Sequence, residues 1–497
     1  MESGSKKNVF LVVCVPGQSI EILEIAKLLQ STTDFNPIIY FNLGNVFVTP
    51  LMSEILEKGF DVYDYNLGFI SADPQKGSTP SKMNSINLAE SNLHVSRTQS
   101  LKNRVRSQYP LIFKSIRWLV GTYYGLLTLF YRHFGFIHFI MRKLERLKKE
   151  EGILRDYSVK LLVLAEDSEG YLTPQLVRVT QKNKARVVVF PYTFANENEF
   201  LEDAYLNNRR ADKDLSSRLT ALIFPKWNRD YKGASLLRWR PAAIFAAELF
   251  GGSAPNPWVM NSGMADIIAV ESEFMRLYYS EAGIPEKQML VTGFVSLDLL
   301  HKAISERKDR KQKMAQLFGL DLSKPWVVCA VPPSQWPHPG VEFSSYELFL
   351  KTYIQYLKSF TNIEVIFKFH PRLSRSEVEK VCADLEVKNI NFSTTDLVGV
   401  ADLYVASVSA TIRWALACGL PTINYDLYAY RYDDFRNTVG LQTVEFFADF
   451  KSIFALKVDE IMSLFAKEDI KSRQTQFGVL DGKSSARILQ LFRRLAS

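Results

Sequence analysis

The sequence predicts an α/β protein built from two Rossmann-like domains, each a doubly wound parallel sheet. Three observations predict this fold: apolar runs alternate with amphipathic segments, the alternation forms two series, and a charged stretch (residues 305–313, SERKDRKQK) separates the series. A chain of 497 residues is long enough for two large domains. We therefore expect an N-terminal domain over residues 1–304, a C-terminal domain over 305–483 and a C-terminal helix over 484–497.

The first series opens with a strand that is buried on both faces. The apolar run NVFLVVCV (residues 8–15) predicts this strand, Pro16-Gly17 ends it, and helical periodicity follows over 19–30. Residues 197–240 carry no clear periodicity and predict irregular structure. The same reasoning predicts further strands at 37–41, 159–165, 185–191, 266–270 and 289–292, and helices at 51–58, 173–183 and 272–282.

The second series repeats the rhythm after the charged stretch. Strands are predicted at 326–331, 364–369, 403–406 and 422–425, and helices at 344–360, 374–385 and 409–418. Ligands bind at the carboxyl edge of such sheets, so polar residues that follow a strand directly are the first candidates for a site.

Cysteine usage and the N-terminus bear on the compartment. The four cysteines, Cys14, Cys329, Cys382 and Cys418, lie far apart in the chain. This spacing excludes a disulfide scaffold and a Cys-cluster zinc site, and it fits a reducing compartment. Residues 1–8 carry no apolar signal segment. We expect a cytoplasmic protein.

The positive charge of the chain is local. The net charge is +8, and residues 102–149 hold eleven Lys and Arg against one acid, Glu145, so this segment alone is +10 and the remainder is −2. This distribution argues against a nucleic-acid partner. Within the segment, WLVGTYYGLLTLFY (118–131) is shorter than the ~20 residues of a membrane-spanning helix. The segment predicts either a helix docked on an anionic membrane surface, at the inner face of the plasma membrane, or a buried helix between basic turns.

The motif FKFHPR places a histidine at the end of a predicted strand. His370 would lie at the carboxyl edge of the second sheet, with Lys368 and Arg372 on either side. These groups suit a phosphate ligand. The alternative is that His370 only caps the strand.

The motif ASVSATIRWALACGLPTINY places hydroxyl groups between a strand and a helix. Ser407, Ser409 and Thr411 could bind an anion together with backbone N–H groups. Ordinary helix capping by one serine is the alternative.

Two glycine-containing turns also follow predicted strands. In VTGFVSLD, Gly293 permits close approach of the backbone to a ligand, while Asp298 is a candidate helix cap. Gly17 lies where the first strand opens towards a cleft, or it simply makes the turn.

The motif AEDSEGY supplies three carboxylates at a strand end in the N-terminal domain. Asp167 is our first choice for a general base, followed by Glu169 and Glu166, because partial burial would bring such a group to a useful pKa. A solvated acidic turn is the alternative interpretation.

The order of these motifs resembles the two-domain GT-B glycosyltransferases. The resemblance covers residues 265–430, and its nearest members are capsule-type Kdo transferases, bacterial sialyltransferases with HP and serine motifs, and CDP-glycerol glycerophosphotransferases. It implies that the C-terminal domain holds a nucleotide donor, with His370, Ser407 and Ser409 on its phosphates. Many GT-B enzymes hold the ribose with a Glu where this chain has Trp414, so the resemblance favours a cytidine nucleotide over a UDP-sugar.

These observations predict a glycosyltransferase of polysaccharide biosynthesis. The donor is a nucleotide sugar, with CMP-linked acidic sugars as one class, and the acceptor is a lipid-linked capsule or lipopolysaccharide glycan. We expect no metal or other cofactor, because no DxD pair follows a strand and no ligand spacing occurs. A CDP-polyol phosphotransferase, a nucleotide-sugar 2-epimerase and a non-catalytic membrane-associated scaffold are the alternatives.

Overall fold

A computed structural model describes most of the chain. The described residues are 6–42, 49–73, 140–168, 170, 172–191, 197–338, 340–370, 373–388, 390–431, 438–465 and 477–497. The predictions made for Glu169, Arg372 and residues 102–139 lie outside this set.

The N-terminal domain contains an eight-stranded sheet. Its strands are β1 (Lys7–Val12), β2 (Phe35–Phe41), β3 (Asp61–Asp64), β4 (Gly68–Ile70), β5 (Leu161–Leu164), β6 (Arg186–Val189), β9 (Ile267–Val270) and β10 (Met289–Val291). They are arranged in the order β10-β9-β6-β5-β1-β2-β3-β4. All neighbouring strands are parallel except β3 and β4, which are antiparallel.

Helices cover this sheet on both faces. They are α1 (Ser19–Gln30), α2 (Thr49–Glu57), α3 (Thr173–Lys182), α7 (Glu273–Glu281) and α8 (Val295–Ser305), and residues 140–156 are also helical. Buried side chains lie on both faces of the central strands, as the continuous apolar runs predict.

The C-terminal domain contains a five-stranded, fully parallel sheet. Its strands are β11 (Trp326–Val331), β12 (Glu364–Phe369), β13 (Leu403–Ala406), β14 (Thr422–Tyr425) and β15 (Leu441–Val444). They are arranged in the order β12-β11-β13-β14-β15. Its helices are α9 (Arg307–Phe318), α10 (Tyr346–Lys358), α11 (Arg375–Asp384), α12 (Thr394–Val400), α13 (Ile412–Ala417), α14 (Phe447–Phe465) and α15 (Ser484–Ala496). The two sheets confirm the predicted fold class.

Residues 197–258 form a small subdomain, and the prediction of irregular structure for 197–240 was wrong. It consists of α4 (Glu197–Leu206), α5 (Leu215–Ile223), α6 (Pro241–Leu249) and the hairpin β7 (Asn228–Tyr231) and β8 (Ala234–Leu237). Trp227 and Trp258 are fully buried within it. The sequence pattern failed because β7 (NRDY) has no buried residue and α5 does not turn its leucines inward.

The two domains are joined by packing as well as by the chain. Helix α8 packs against α12 so closely that a Cβ on Gly399 would overlap the side chain of Ala303. Helix α15 returns from the second domain to the first, where the Phe492 ring lies 5.9 Å from Phe190 and 6.3 Å from Phe35. These contacts fix the position of one domain, and therefore of the carboxyl edge of its sheet, relative to the other domain.

Candidate active site

The carboxyl edge of the second sheet brings two of the predicted motifs together. His370 directly follows β12, and Ser407 directly follows β13, with only β11 between these strands. Two strand spacings separate the strand ends by roughly 10 Å. The sheet order therefore places both motifs along one edge, and their phosphate-binding roles stay predictions.

The loop that carries the serines has a strained backbone. Val408 has a φ of +42°, which β-branched residues rarely adopt, and its N–H donates to Asn424 Oδ1 at 2.8 Å. The Ser407 Oγ beside it is buried and has no hydrogen-bond partner among the described residues. Strain and an unsatisfied polar atom concentrate at functional loops, so this loop is the best candidate for a ligand-binding element.

The other two hydroxyl groups of the motif bond to each other. Thr411 Oγ1 lies 2.7 Å from Ser409 Oγ and 2.6 Å from the buried Tyr404 hydroxyl. The Thr411 side chain thus links the loop to β13, and phosphate binding by Ser409 and Thr411 stays a prediction.

Lys368 lies at the same edge but contacts protein. Its Nζ donates to the Phe392 carbonyl at 2.7 Å, and burial lowers the pKa of this amine. In this arrangement Lys368 holds the loop before α12. Its role in phosphate binding stays a prediction.

The carboxyl edge of the first sheet carries the acidic motif. Asp167 is fully buried, and its two carboxylate oxygens accept from the Ser262 N–H at 2.7 Å and the Met264 N–H at 2.9 Å. Burial raises the pKa of Asp167, and these hydrogen bonds oppose the rise. Both oxygens of Asp167 thus hold the loop after α6, and its role as a general base stays a prediction.

Glu166, the last of our three candidates, is buried beside Asp167, and its role in proton transfer stays a prediction. Burial, and then the charge of Asp167, raise the pKa of Glu166 to about 8. Its Oε1 has no hydrogen-bond partner among the described residues, and the buried Cys14 and Tyr279 lie within its electrostatic range. The geometry therefore favours Glu166 over Asp167 as an acid–base group.

Sequence reasoning missed a buried ion pair that joins the two carboxyl edges. Glu271 directly follows β9, and its Oε1 lies 2.9 Å from Arg413 Nε at the start of α13. Both side chains are almost fully buried, with 1% and 2% exposed. Burial raises the pKa of Glu271 to about 7, although the Arg413 charge lowers it. The sequence feature that could have identified Glu271 is an acidic residue directly after a predicted strand, the same feature that identified Glu166.

Glu21 is a second buried carboxyl that the sequence analysis missed. Its Oε1 accepts from the Val295 N–H at 2.7 Å, so it joins α1 to the start of α8. Burial raises the pKa of Glu21 to about 7, and the charge of Glu271 contributes. The sequence indicates it through helical spacing, because Glu21, Ile25 and Leu29 follow one another at intervals of four residues on the apolar face of α1.

The position of the ribose-binding Glu in many GT-B enzymes has a different function here. Trp414 is 4% exposed and packs in the apolar core that links the two domains. Its side chain belongs to the domain contact.

The Gly293 turn is explained by the C-terminal helix. Gly293 has a φ of +72°, and a Cβ there would overlap Ser484 Oγ and approach Arg487. Asp298 caps α15, because its carboxylate accepts from the Ser484 N–H at 2.9 Å and the Ser485 N–H at 2.7 Å. The close approach predicted at Gly293 is therefore an approach to Ser484, and its donor-binding role stays a prediction without further support.

Replacing Gly293 with Ala is expected to destabilise the protein by about 2–4 kcal/mol, because the strained φ and the collision with Ser484 add. Gly319→Ala is the matched control: its φ is +62°, but no atom of the part of the chain that the structure describes lies within 4 Å of its Cβ position. Urea unfolding should show that the control lowers the free energy of unfolding by only about 1 kcal/mol. Equal losses in the two variants would contradict close docking of α15.

Gly17 is exposed in the short turn of residues 16–18 that follows β1. Among the described residues, nothing lies within 4 Å of its Cβ position, while the neighbouring Gln18 accepts from the Cys14 N–H at 2.8 Å. Space for a ligand exists beside Gly17, and its contribution to a cleft stays a prediction.

Part of the basic segment 102–149 is used inside the fold. Arg146 Nε donates to the buried Glu150 at 2.7 Å, its Nη2 donates to the Asn42 carbonyl at 2.7 Å, and Lys143 is buried. In residues 140–149, these two basic side chains therefore do not face a solvent or membrane surface.

Across the described ranges, no group of three or more His, Cys, Asp or Glu side chains could hold a metal ion. Over the same ranges, no helix has the length and apolar character to cross a bilayer.

The two parallel sheets meet at their carboxyl edges through Glu271 and Arg413, and the last helix returns to the first sheet. This is the GT-B architecture, and it confirms at the level of fold the resemblance found in the sequence.

No family model and no curated protein matches the chain. Among solved structures it is similar to Staphylococcus aureus MnaA with UDP (11% identity, 98% of this chain and 97% of that chain, TM-score 0.48). It is also similar to the wall teichoic acid polymerase TagF (10%, 99% and 89%, 0.46) and to a glycosyltransferase from Rickettsia africae (12%, 99% and 99%, 0.45).

Proposed function

We propose that the protein is an enzyme that transfers a sugar from a nucleotide donor to a glycan acceptor. The observation that carries the proposal is the strained serine loop, with its unsatisfied Ser407 hydroxyl, on the same sheet edge as His370. A donor phosphate would accept hydrogen bonds from the Ser407 hydroxyl and from His370. The phosphate would thereby supply the partner that the Ser407 hydroxyl lacks.

Glu166 would act on the acceptor hydroxyl from the opposite sheet edge. A pKa of about 8 lies close to a neutral working pH, where one group can both take up and release a proton efficiently. The low-dielectric surroundings that raise this pKa would also strengthen the interaction with developing charge.

Nucleotide-sugar 2-epimerisation is the second candidate function. Inverting a carbon centre requires removal of one proton and delivery of another, which suits a site with several protonated carboxyls. Glu21, Glu166 and Glu271 all have raised pKa values at this edge of the first sheet. CDP-polyol phosphate transfer would use the same phosphate-binding groups.

The finer features of the function are proposals that follow from the sequence. They are a cytidine donor with an acidic sugar, a lipid-linked capsule or lipopolysaccharide acceptor, and a cytoplasmic location at an anionic membrane surface reached through residues 102–149. No metal participates in the proposed reaction.

Thermal unfolding with CMP, CDP, UDP, GDP and ADP tests the donor site. A nucleotide at 100 times its dissociation constant should add about 2.7 kcal/mol of stability, and we expect a cytidine nucleotide to do so. His370→Ala and Ser407→Ala should reduce this gain.

The matched control is His301→Ala, which removes an exposed histidine far along the chain from the serine loop. It should respond to nucleotides as the wild type does. If no nucleotide stabilises the wild-type protein, the transferase proposal is wrong, and the scaffold alternative becomes the leading one.

A further inference from the structure

Helix α5 turns its apolar side chains towards solvent. Leu215 and Leu222 are 72% and 78% exposed, and Leu219 and Ile223 are 45% and 52% exposed. Monomeric proteins seldom expose such a run of large aliphatic side chains in one short helix, so this face calls for an occupant.

The inner face of α5 carries mainly small or polar side chains. Ser217 and Thr220 are buried, and Ala221 and Phe224 pack against the core beside them. Asp214 caps the helix by accepting from the Ser217 N–H at 2.8 Å, and Thr220 Oγ1 donates to the Ser216 carbonyl at 2.6 Å. The helix therefore differs from an ordinary surface helix, because its leucines lie on the exposed face.

The exposed side chains form one stripe. Leu215, Leu219 and Leu222 are spaced i, i+4 and i+7, which puts them on one face of the helix. The exposed Arg218 borders this stripe, and its guanidinium reaches the Asp212 carbonyl only at 3.4 Å.

The charge beside the stripe is weakly positive, because residues 210–223 hold three basic and two acidic side chains and so carry a net charge of +1. Arg210 pairs with Asp212, and Asp214 caps the helix. Lys213 and Arg218 are exposed on either side of Leu215. Apolar side chains flanked by Lys and Arg are typical of helices that lie in the headgroup region of anionic bilayers.

We propose that this face of α5 docks on the surface of an anionic phospholipid bilayer. A second protein fits less well, because four such side chains expose on the order of 400 Å², about half of what each partner buries in a stable protein interface. The stripe also has no aromatic residue, the usual anchor of such interfaces. Leucine and isoleucine side chains need no complementary surface in the acyl region.

Docking at α5 would hold the subdomain, which contacts the loop of Glu166, at the membrane surface. Trp239, which follows β8 in the same subdomain, lies 3.8 Å from the Cβ position of Gly170, just beyond the loop of Glu166. This placement suits a lipid-linked acceptor. That last step rests on the proposed function, whereas docking itself does not.

Vesicle flotation of the full chain tests the proposal with phosphatidylcholine vesicles, with and without phosphatidylglycerol. The wild-type protein should float with the anionic vesicles. The double variant Leu215→Glu, Leu222→Glu should partition roughly tenfold less or weaker still. The matched control, Leu317→Glu with Leu456→Glu, changes two leucines that are 61% and 59% exposed on α9 and α14, and it should float as the wild type does.

Each outcome decides the proposal. It is overturned if the wild type does not float with anionic vesicles, or if the α5 variant floats equally well, which would assign binding to another segment such as 102–139. It is also overturned if light scattering shows that the wild-type protein is a dimer and that the α5 variant is a monomer. Cooperative urea unfolding, measured on both variants, checks their folding independently of nucleotide binding. Flotation that depends on α5 without any nucleotide effect would sustain docking and reject the transferase.

Discussion

Replacing Arg413 with Met is expected to destabilise the protein by about 3–5 kcal/mol near pH 8, because it leaves the Glu271 carboxylate buried without its partner. The loss should shrink near pH 5.5, since an unpaired buried carboxyl takes up a proton and avoids the cost of a buried charge. Urea unfolding at the two pH values measures both effects.

The double variant Glu271→Leu, Arg413→Met provides the control. Replacing both partners of a buried ion pair by apolar residues of similar size is often neutral or stabilising, so most of the loss should be recovered. Glu271→Leu alone should lose stability at both pH values, because a buried guanidinium cannot give up its proton. If the single and double variants were equally unstable, the ion pair would not be the link between the two domains.

Replacing Glu166 with Gln is expected to change stability in a pH-dependent way. The pKa of this carboxyl is raised from 4.5 to about 8, so its stabilising contribution is complete below about pH 4.5 and is lost as the pH rises through 8. The wild-type protein should therefore lose on the order of 4 kcal/mol across this range from this group. The Gln variant stays neutral, so it should be the more stable protein near pH 9 and about equal near pH 5.

The same variant should lose 10²–10⁴-fold in turnover with the donor that the nucleotide test identifies, because amide nitrogen cannot replace a proton-transferring carboxyl. Glu281→Gln, at an exposed position of α7, is the matched control and should leave both properties unchanged. Full activity of the Glu166→Gln variant would remove Glu166 from the mechanism. A wild-type stability that does not fall towards pH 9 would contradict the raised pKa.

Local sequence patterns predicted most strands and helices of both sheets, because their apolar runs and periodicities are pronounced. They failed for residues 197–240, where the polar strand β7 and a helix with outward-facing leucines carry no usual signature. For the candidate site, the order of strands was the missing information. His370 and Ser407 are 37 positions apart in the chain (407 − 370 = 37), and only the order β12-β11-β13 makes them neighbours along one edge.

The sequence by itself determined the fold class, the two-domain division and the motifs at the carboxyl ends of strands, because these depend on local periodicity and on residues adjacent to strands. Only the tertiary structure decided which polar groups are occupied. In the folded protein the Asp167 carboxylate accepts from the Ser262 and Met264 N–H groups. Gly293 lies against Ser484, and Glu271 forms an ion pair with Arg413. Such partners come from segments distant in the chain, and burial, which sets the pKa of Glu166, arises only when those segments pack together.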